Sequence, residues 1–196
     1  MNRLILIAGP SCAGKTAFIA SIFAGNPELK ELLCIIDPAE WTSLEARQLD
    51  KVDVREINNL VLHYDIIEQH TALGYKHILE LFTYYEDITL ITLMASPLSL
   101  LLRNTNRLVK YMFQQLVAII WGRKRKFTKS WHREKLYLNP GMTKTIYGNW
   151  MSHIESFKII KHLIIDTSGI SLNAGLMPTY KNIKCFNKDI TELQLP

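Results

Sequence analysis

Residues 4–16 read Leu-Ile-Leu-Ile-Ala-Gly-Pro-Ser-Cys-Ala-Gly-Lys-Thr, a stretch in which an apolar run is followed by a turn with two glycines. Its first part, residues 4–8, is a continuous apolar run, which is typical of a strand buried on both faces of a parallel sheet. The residues that follow, 9–16, match the pattern G-x-x-x-x-G-K-[ST] in full. The pattern predicts a tight turn from the strand into a helix that begins at Lys15.

A turn of this composition is suited to binding phosphate groups. Its backbone N–H groups can converge on an anion, and the helix that follows adds the partial positive charge of its N-terminus. The Lys15 ammonium can reach the terminal phosphates, and the Thr16 hydroxyl can ligate Mg²⁺. The sequence therefore predicts a site for ATP or GTP with Mg²⁺. The predicted binding residues are Gly9, Ser11, Cys12, Ala13, Gly14, Lys15 and Thr16.

The rest of the chain alternates short apolar runs with helical patterns, which predicts parallel βαβ units. Further strands are predicted at residues 32–36, 60–62, 88–94 and 163–165. Helices are predicted at residues 15–24, 71–85, 97–121 and 147–161, with a short helix or a loop within 42–56. The expected fold is α/β, a three-layer sandwich with a five-stranded, mainly parallel sheet in one domain of residues 1–196.

Several polar side chains lie at or just beyond the ends of predicted strands, where ligands of open α/β sheets bind. Asp65 is a candidate Mg²⁺ ligand beside Thr16, and Asp37 is a candidate for orienting an acceptor hydroxyl. A capping or turn role is the alternative for both carboxylates, and packing in the core is the more common role for a histidine at this place. The residues in these positions are Asp37, His63, Asp65, Ser96 and Asp166.

Two arginines extend the candidate site. Arg103 and Arg107 are four residues apart, so they share one face of the predicted helix. Arginine forks suit the neutralisation of charge during phosphoryl transfer, and the alternative is a solvated or salt-bridged helix face.

The basic stretch 121–135 carries much of the net charge of +5. It has three interpretations: a lid over the triphosphate with Arg123 as a phosphate contact, a nucleic-acid patch with Phe127 and Trp131 as stacking partners, or a solvated loop. A basic segment can also contact an acidic membrane face. Of these partners, nucleic acid is less favoured than the nucleotide.

Composition limits the other function classes. The chain has 196 residues, of which 48% are apolar and 21% charged, as is ordinary for a soluble globular protein. No apolar run reaches the roughly 20 residues that a membrane-spanning helix needs, so a cytoplasmic protein without a membrane partner is expected. The three cysteines, Cys12, Cys34 and Cys185, show no metal-binding spacing.

Residues 4–16 resemble the start of P-loop kinases of the nucleoside monophosphate kinase group, within the P-loop nucleoside triphosphate hydrolase superfamily. The loop Gly-Pro-Ser-x-Ala-Gly-Lys-Thr is similar to that of guanylate kinases. The resemblance implies a phosphotransferase acting on a nucleotide or small-molecule acceptor, and it implies that the loop after the fifth strand, with Ser168, holds the adenine ring. Residues 38–59 look too short for the guanine-binding insertion of guanylate kinases, and the paired aspartates of shikimate kinases are missing.

We therefore expect an ATP-dependent kinase whose acceptor and oligomeric state the sequence does not name. Its catalytic residues would be Lys15, Asp37, Arg103 and Arg107. An NTP-dependent switch or accessory NTPase without a small-molecule acceptor is the alternative. A sulfotransferase ranks lower, because the Gly-Lys-Thr ending favours a triphosphate with Mg²⁺.

Overall fold

A six-stranded sheet forms the centre of the fold, in a computed structural model that describes residues 2–67, 78–121, 139–154, 161–168 and 183–186. Its order is β2-β3-β1-β4-β5-β6; the first five strands are parallel, and β6 is an antiparallel edge strand. The strands are β1 (Arg3–Gly9), β2 (Thr42–Glu45), β3 (Asn59–Asp65), β4 (Asp87–Met94), β5 (Lys161–Asp166) and β6 (Ile183–Phe186).

Helices cover both faces of this sheet, so the three-layer α/β prediction is confirmed. One apolar cluster joins α1, α2 and the start of α3 to one face of the sheet, and a second cluster joins residues 78–85 and α4 to the other. The helices are α1 (Lys15–Phe23), α2 (Pro27–Leu33), α3 (Pro97–Ile120) and α4 (Pro140–Ile154). Short 3₁₀ helices lie at Pro38–Glu40, Ala46–Lys51 and Val54–Glu56.

Strand β1 is central and marks the point where the chain changes direction across the sheet. Its neighbours are β3 on one side and β4 on the other, and the strands added earlier and later in the chain lie on opposite sides of it. Ligands of open parallel sheets bind beyond the carboxyl end of the strand at such a switch point. The turn 9–14 begins at the carboxyl end of β1 and therefore occupies this position.

The predicted strand at residues 32–36 is wrong, because this part of the chain closes a helix. Asn26 caps α2 by accepting a hydrogen bond from the Leu29 N–H group at 3.2 Å, and Pro27 takes the first turn. Leu29 and Leu33 are buried one helical turn apart, and Cys34 ends the helix in the left-handed conformation at φ 51°. The second strand is instead Thr42–Glu45, within the range predicted as helix or loop.

Other boundaries agree more closely with the sequence. The long helix α3 begins after Ser96, whose Oγ accepts a hydrogen bond from the Ser99 N–H group at 3.2 Å, as expected of an N-cap. Helix α4 begins at Pro140, before the predicted range 147–161, and is described as far as Ile154. The lid interpretation of 121–135 and most of the predicted helix 71–85 lie outside the described residues. In the parts that are described, no helix combines the length and hydropathy that crossing a bilayer requires.

A buried polar network ties β4 and β5 to α4. The Trp150 indole N–H donates to Thr92 Oγ1 at 3.1 Å, and the same oxygen lies 2.9 Å from His162 Nε2. Trp150 also stacks on Tyr64, with ring centroids 5.4 Å apart. Burial lowers the pKa of His162 to about 4, so the folded protein keeps this imidazole neutral.

We predict a proton-linked loss of stability from this histidine. The pKa of His162 is about 4 in the folded protein and about 6.5 in the unfolded chain. As the pH falls, the unfolded chain therefore takes up a proton at this histidine before the folded protein does. Its stabilisation is complete above pH 6.5 and falls by up to about 3 kcal/mol between pH 6.5 and pH 4. Urea unfolding of His162→Gln at pH 7 and pH 4 should show that much less loss than the wild type. The exposed His153→Gln should lose as much as the wild type, and an equal loss in all three would contradict the assignment.

Candidate functional site

The turn after β1 follows a path that two of its glycines permit. A Cβ added to Gly9 would lie 2.8 Å from the Leu93 carbonyl oxygen, so the backbone of β4 passes too close for any larger residue. Gly14, the N-cap of α1, has φ 99°, and Cys12 has φ 68°. Only glycine adopts this left-handed region without steric cost, so the turn stores strain at Cys12.

Lys15 holds the carbonyl groups on one side of this turn. Its Nζ donates to Gly9 O and Pro10 O, both at 2.7 Å, and lies 3.4 Å from Asp65 Oδ2. The side chain is only 4% exposed. A buried ammonium is tolerated only when it is paired and hydrogen-bonded, and these three oxygens meet that requirement.

Thr167 and Arg103 hold the carbonyl groups on the other side. Thr167 Oγ1 lies 2.9 Å from Ala13 O, and Arg103 Nη1 donates to Cys12 O at 3.3 Å. Arg103 also donates to Thr167 Oγ1 at 3.2 Å and to the Thr167 carbonyl oxygen. Burial lowers the pKa of the Arg103 guanidinium from its ordinary value, although the nearby Asp166 charge opposes this.

These contacts orient the peptide groups of the turn. Its carbonyl oxygens point to donors of the protein body, and no peptide bond in the described residues is cis. In a trans peptide the next N–H group points away from the carbonyl, so the amides of Ser11 and Gly14 face away from those donors. Helix α1 begins here without a side-chain cap. Converging amides at a helix N-terminus form an anion-binding concavity.

Asp65 lies where the sequence places it, at the carboxyl end of β3 and in register with Gly9 of β1. Its Oδ2 accepts a hydrogen bond from Ser11 Oγ at 2.8 Å, and its Oδ1 accepts one from the Ile67 N–H group at 3.0 Å. The carboxylate side chain is 14% exposed. Asp65 thus joins the turn and Lys15 in one hydrogen-bonded unit.

The oxygen donors fit Mg²⁺ better than a softer metal. Among the described residues, no group of three or more His, Cys, Asp or Glu side chains could hold a metal ion by itself. Mg²⁺ does not need such a group, because it takes one or two protein oxygens and completes its shell with phosphate oxygens and water. The Thr16 hydroxyl and the Asp65 carboxylate are oxygen ligands of this hard kind.

A cavity of about 250 Å³ opens beside Thr16, between α1, the end of β2 and β3. Burial, and next the Lys15 charge, lower the pKa of His63, while the Glu45 and Asp65 charges oppose the shift. The His63 imidazole is therefore neutral at pH 7. The residues that line the cavity are Thr16, Ile19, Ser43, Leu44, Glu45, Gln48 and His63.

Asp37 is not part of this site, and the premise for its predicted role is wrong. It follows α2 rather than a strand, and it caps the 3₁₀ helix Pro38–Glu40 by accepting from the Ala39 N–H group at 2.8 Å. The preceding residues Leu33 and Cys34 are bound by Arg3 at the start of β1, so this segment lies at the amino end of the sheet. The turn after β1 lies at the opposite, carboxyl end of the sheet.

Glu45 is the carboxylate that the sequence analysis missed. It ends β2 in register with His63 and lines the cavity. Its backbone N–H group donates to Gln48 Oε1 at 2.7 Å in a capping box that opens the next 3₁₀ helix. That box, Glu-x-x-Gln, is visible in the sequence and signals a helix start after residue 45.

Three remaining predicted residues have different surroundings. Ser168 lies just after β5, as predicted: its Oγ accepts from the Ser96 N–H group at 2.8 Å and its carbonyl oxygen accepts from Ser99 Oγ at 2.9 Å. These bonds fix the loop after β5 to the start of α3. Arg107 is exposed on α3, one turn beyond Arg103. Arg123 lies outside the described residues.

No protein-family model matches this chain, and no curated protein or solved structure is significantly similar to it. The function of the chain is therefore inferred from the geometry of the turn, the cavity and the residues between them.

Removing the Thr167 hydroxyl tests whether its contact with Ala13 O shapes the turn. Because Met94 O already accepts from the Thr167 N–H group at 2.7 Å, we expect the single hydroxyl proton to serve Ala13 O. Thr167→Val keeps the side-chain shape but leaves that carbonyl without its donor. We predict a loss of about 1–3 kcal/mol in unfolding free energy. We also expect the dissociation constant for ATP with Mg²⁺ to rise about tenfold, equivalent to 1.4 kcal/mol.

The matched control is Thr145→Val, which removes an exposed hydroxyl that donates to Gly141 O at 3.0 Å on α4. Denaturant unfolding and isothermal titration calorimetry should find it close to the wild type. ATP binding by Thr167→Val that equals binding by the control would show that the Thr167 contact does not shape the turn.

Proposed function

We propose that the chain is an ATP-dependent phosphotransferase that holds the triphosphate of ATP or GTP on residues 9–16. The observation that carries this proposal is the orientation of the turn, whose carbonyl oxygens are bound by Lys15, Arg103 and Thr167. That orientation turns the Ser11 and Gly14 amides away from those donors at the start of α1, where an anion can bind them. Such a cradle supplies what phosphoryl transfer needs most, which is positioning and neutralisation of charge.

Lys15 and the carboxyl end of β3 complete the nucleotide site in this proposal. The Lys15 ammonium exchanges a carbonyl contact for a terminal phosphate oxygen, while Asp65 remains its partner. Thr16 and Asp65 hold Mg²⁺, which supplies neutralisation of the phosphate charge when bound. Arg103 acts as a positioning residue through Cys12 O, and the exposed Arg107 is free to neutralise charge from the side of α3.

The acceptor occupies the cavity beside Thr16. A volume of about 250 Å³ is suited to a small polar molecule, because drug-sized ligands fill about 300–1,000 Å³. The hydroxyl oxygen of the acceptor forms the new bond to the γ-phosphorus. The bond between that phosphorus and the leaving nucleoside diphosphate breaks, and its electron pair stays on the diphosphate. The acceptor proton passes to the neutral His63 imidazole, whose lowered pKa keeps it a base at pH 7. Glu45 and Gln48 hydrogen-bond the acceptor's other polar groups.

Nucleotide binding is tested by Lys15→Gln. The amide can still donate to the loop carbonyls and to Asp65, so we expect the variant to fold, yet it lacks the charge that the phosphates need. At an ATP concentration about a hundred times the dissociation constant, the wild type should gain about 2.7 kcal/mol of stability. Thermal unfolding with and without ATP and Mg²⁺ should show almost no gain in Lys15→Gln. The control is Lys144→Gln, an exposed lysine on α4; a gain in Lys15→Gln equal to the control's would reject the site.

Phosphoryl transfer is tested by His63→Gln. ATP consumption is measured over a panel of small hydroxyl compounds, and the compound that stimulates it is used for kinetics. We predict unchanged ATP binding and a kcat lower by about 10²–10⁴-fold, because glutamine cannot take the proton. In the wild type, kcat should fall as the pH is lowered through the pKa of His63, because the imidazole then becomes protonated. Since that pKa lies below the ordinary 6.5, the fall should begin below about pH 6.5.

The acid limb of the pH profile should disappear in the variant. Unchanged transfer by His63→Gln would remove the assignment of the base while leaving the nucleotide site intact. Slow ATP hydrolysis that no hydroxyl compound stimulates would favour the alternative function, a nucleotide-dependent switch.

A further inference from the structure

Helix α3 has an apolar face that points away from the body of the protein. Its contacts with the sheet are made near its start, where Leu100 and Asn104 are buried. Between residues 105 and 121, none of the side chains that the structure describes is buried. The exposed apolar side chains of this helix and its end are Leu98, Leu102, Val109, Met112, Phe113, Leu116, Val117, Ile120 and Trp121.

These side chains form a stripe along one side of the helix, which the exposed polar residues Thr105 and Asn106 interrupt. At 3.6 residues per turn, the apolar positions from Leu98 to Ile120 fall within about 140° of the helix circumference, and the stripe is about 33 Å long. Several of them are more than half exposed, with Phe113 at 68% and Ile120 at 80%. Soluble proteins rarely expose contiguous apolar patches of more than a few hundred Å² unless the patch is an interaction site.

The charged side chains of α3 are all basic, and Lys110 is the one that borders the stripe, because Arg103 is bound to the turn and Arg107 lies on nearly the opposite side of the helix. Residues 97–121 contain Arg103, Arg107 and Lys110 and no acidic residue, and the sequence stays free of Asp and Glu as far as residue 133. Lys110 lies about a quarter of a turn from the centre of the stripe. A helix with one long apolar face, no acidic residue, basic side chains outside that face and a tryptophan at its end is typical of helices that lie in the surface of an anionic bilayer.

We infer that the apolar face of α3 docks onto the surface of an anionic lipid bilayer. A second copy of the chain fits less well, because α3 has no acidic residue that could pair with Lys110 of the other copy. No membrane partner was expected from the sequence because no apolar run is long enough to span a bilayer. The burial of the opposite face of α3 is what shows that the apolar face points outward.

The experiment is co-sedimentation of the full chain with vesicles, without nucleotide. One set of vesicles is phosphatidylcholine, and in the other about a third of the lipid is phosphatidylserine, which gives the negative surface potential of a cytoplasmic leaflet. We expect binding to the second set at least tenfold tighter than to the first, decreasing as salt is raised. The emission of Trp121 should shift to shorter wavelength on binding, and Trp121→Phe should abolish that part of the shift.

Variants separate the apolar and the electrostatic contributions. Phe113→Ser combined with Leu116→Ser should weaken binding to the anionic vesicles at least tenfold, because less apolar surface enters the interface. Lys110→Gln should weaken it about fivefold, the effect of one basic residue near the surface. The control is Ile36→Ser, an isoleucine that is 91% exposed and lies outside α3, and its binding should equal that of the wild type.

Three results would overturn the inference: no binding to anionic vesicles, equal binding to both sets, or an unchanged affinity in Phe113→Ser/Leu116→Ser. Light scattering gives a fourth. A dimer of the wild type that the double variant loses would assign the face to a second copy of the chain instead. If circular dichroism shows that the double variant does not fold, Ile120→Ser, which changes one side chain that is 80% exposed, carries the same test.

Discussion

The arrangement of the site depends on the hydrogen bonds that hold the carbonyl groups of the turn after β1. An anion-binding loop must turn its amides inward, and its carbonyl oxygens then need donors on the outside. Lys15 supplies one donor group, and Thr167 with Arg103 supplies the other. These donors come from three separate parts of the chain, so the shape of the turn depends on the complete sheet rather than on the residues of the turn alone.

The sheet order explains how distant residues reach this turn. Because β1 lies between β3 and β4, Asp65 at the end of β3 lies beside Gly9, and the end of β5 lies one strand beyond β4. Thr167, 154 positions from Ala13 in the chain, thereby comes within hydrogen-bond distance. The same edge places Glu45 and His63 next to Thr16 around the cavity. In a parallel sheet the carboxyl ends of all strands lie at the same end of the sheet, and most of the candidate residues of this chain lie there.

The strands that the sequence predicted correctly are those that form continuous apolar runs because both of their faces are buried. Strands β1, β4 and β5 are covered on both faces, and each was located within a few residues. Strand β2 is short and only partly buried, so it has no apolar run, whereas the run at residues 32–36 belongs to the end of α2 and its left-handed cap. Because the second strand was predicted at residues 32–36 and not at 42–45, the sequence assigned Asp37 to the site and left out Glu45. Contacts such as Thr167 with Ala13 lie beyond prediction from one sequence, because nothing local to either residue specifies the other.

Two independent sets of donors around the turn have a consequence for nucleotide binding. Lys15 is the only one of these donors that the proposed function asks to change partners, since its ammonium must leave a carbonyl for a phosphate oxygen. If Lys15 alone shaped the turn, the cradle would relax as the nucleotide arrived, and the cost would appear as weaker binding. Arg103 and Thr167 instead hold Cys12 O and Ala13 O whether or not Lys15 moves. Asp65, bound to both Ser11 and Lys15, keeps the ammonium close during the exchange. The left-handed conformation at Cys12 is thus held by Arg103 and Thr167, which in the proposed function never contact the phosphate.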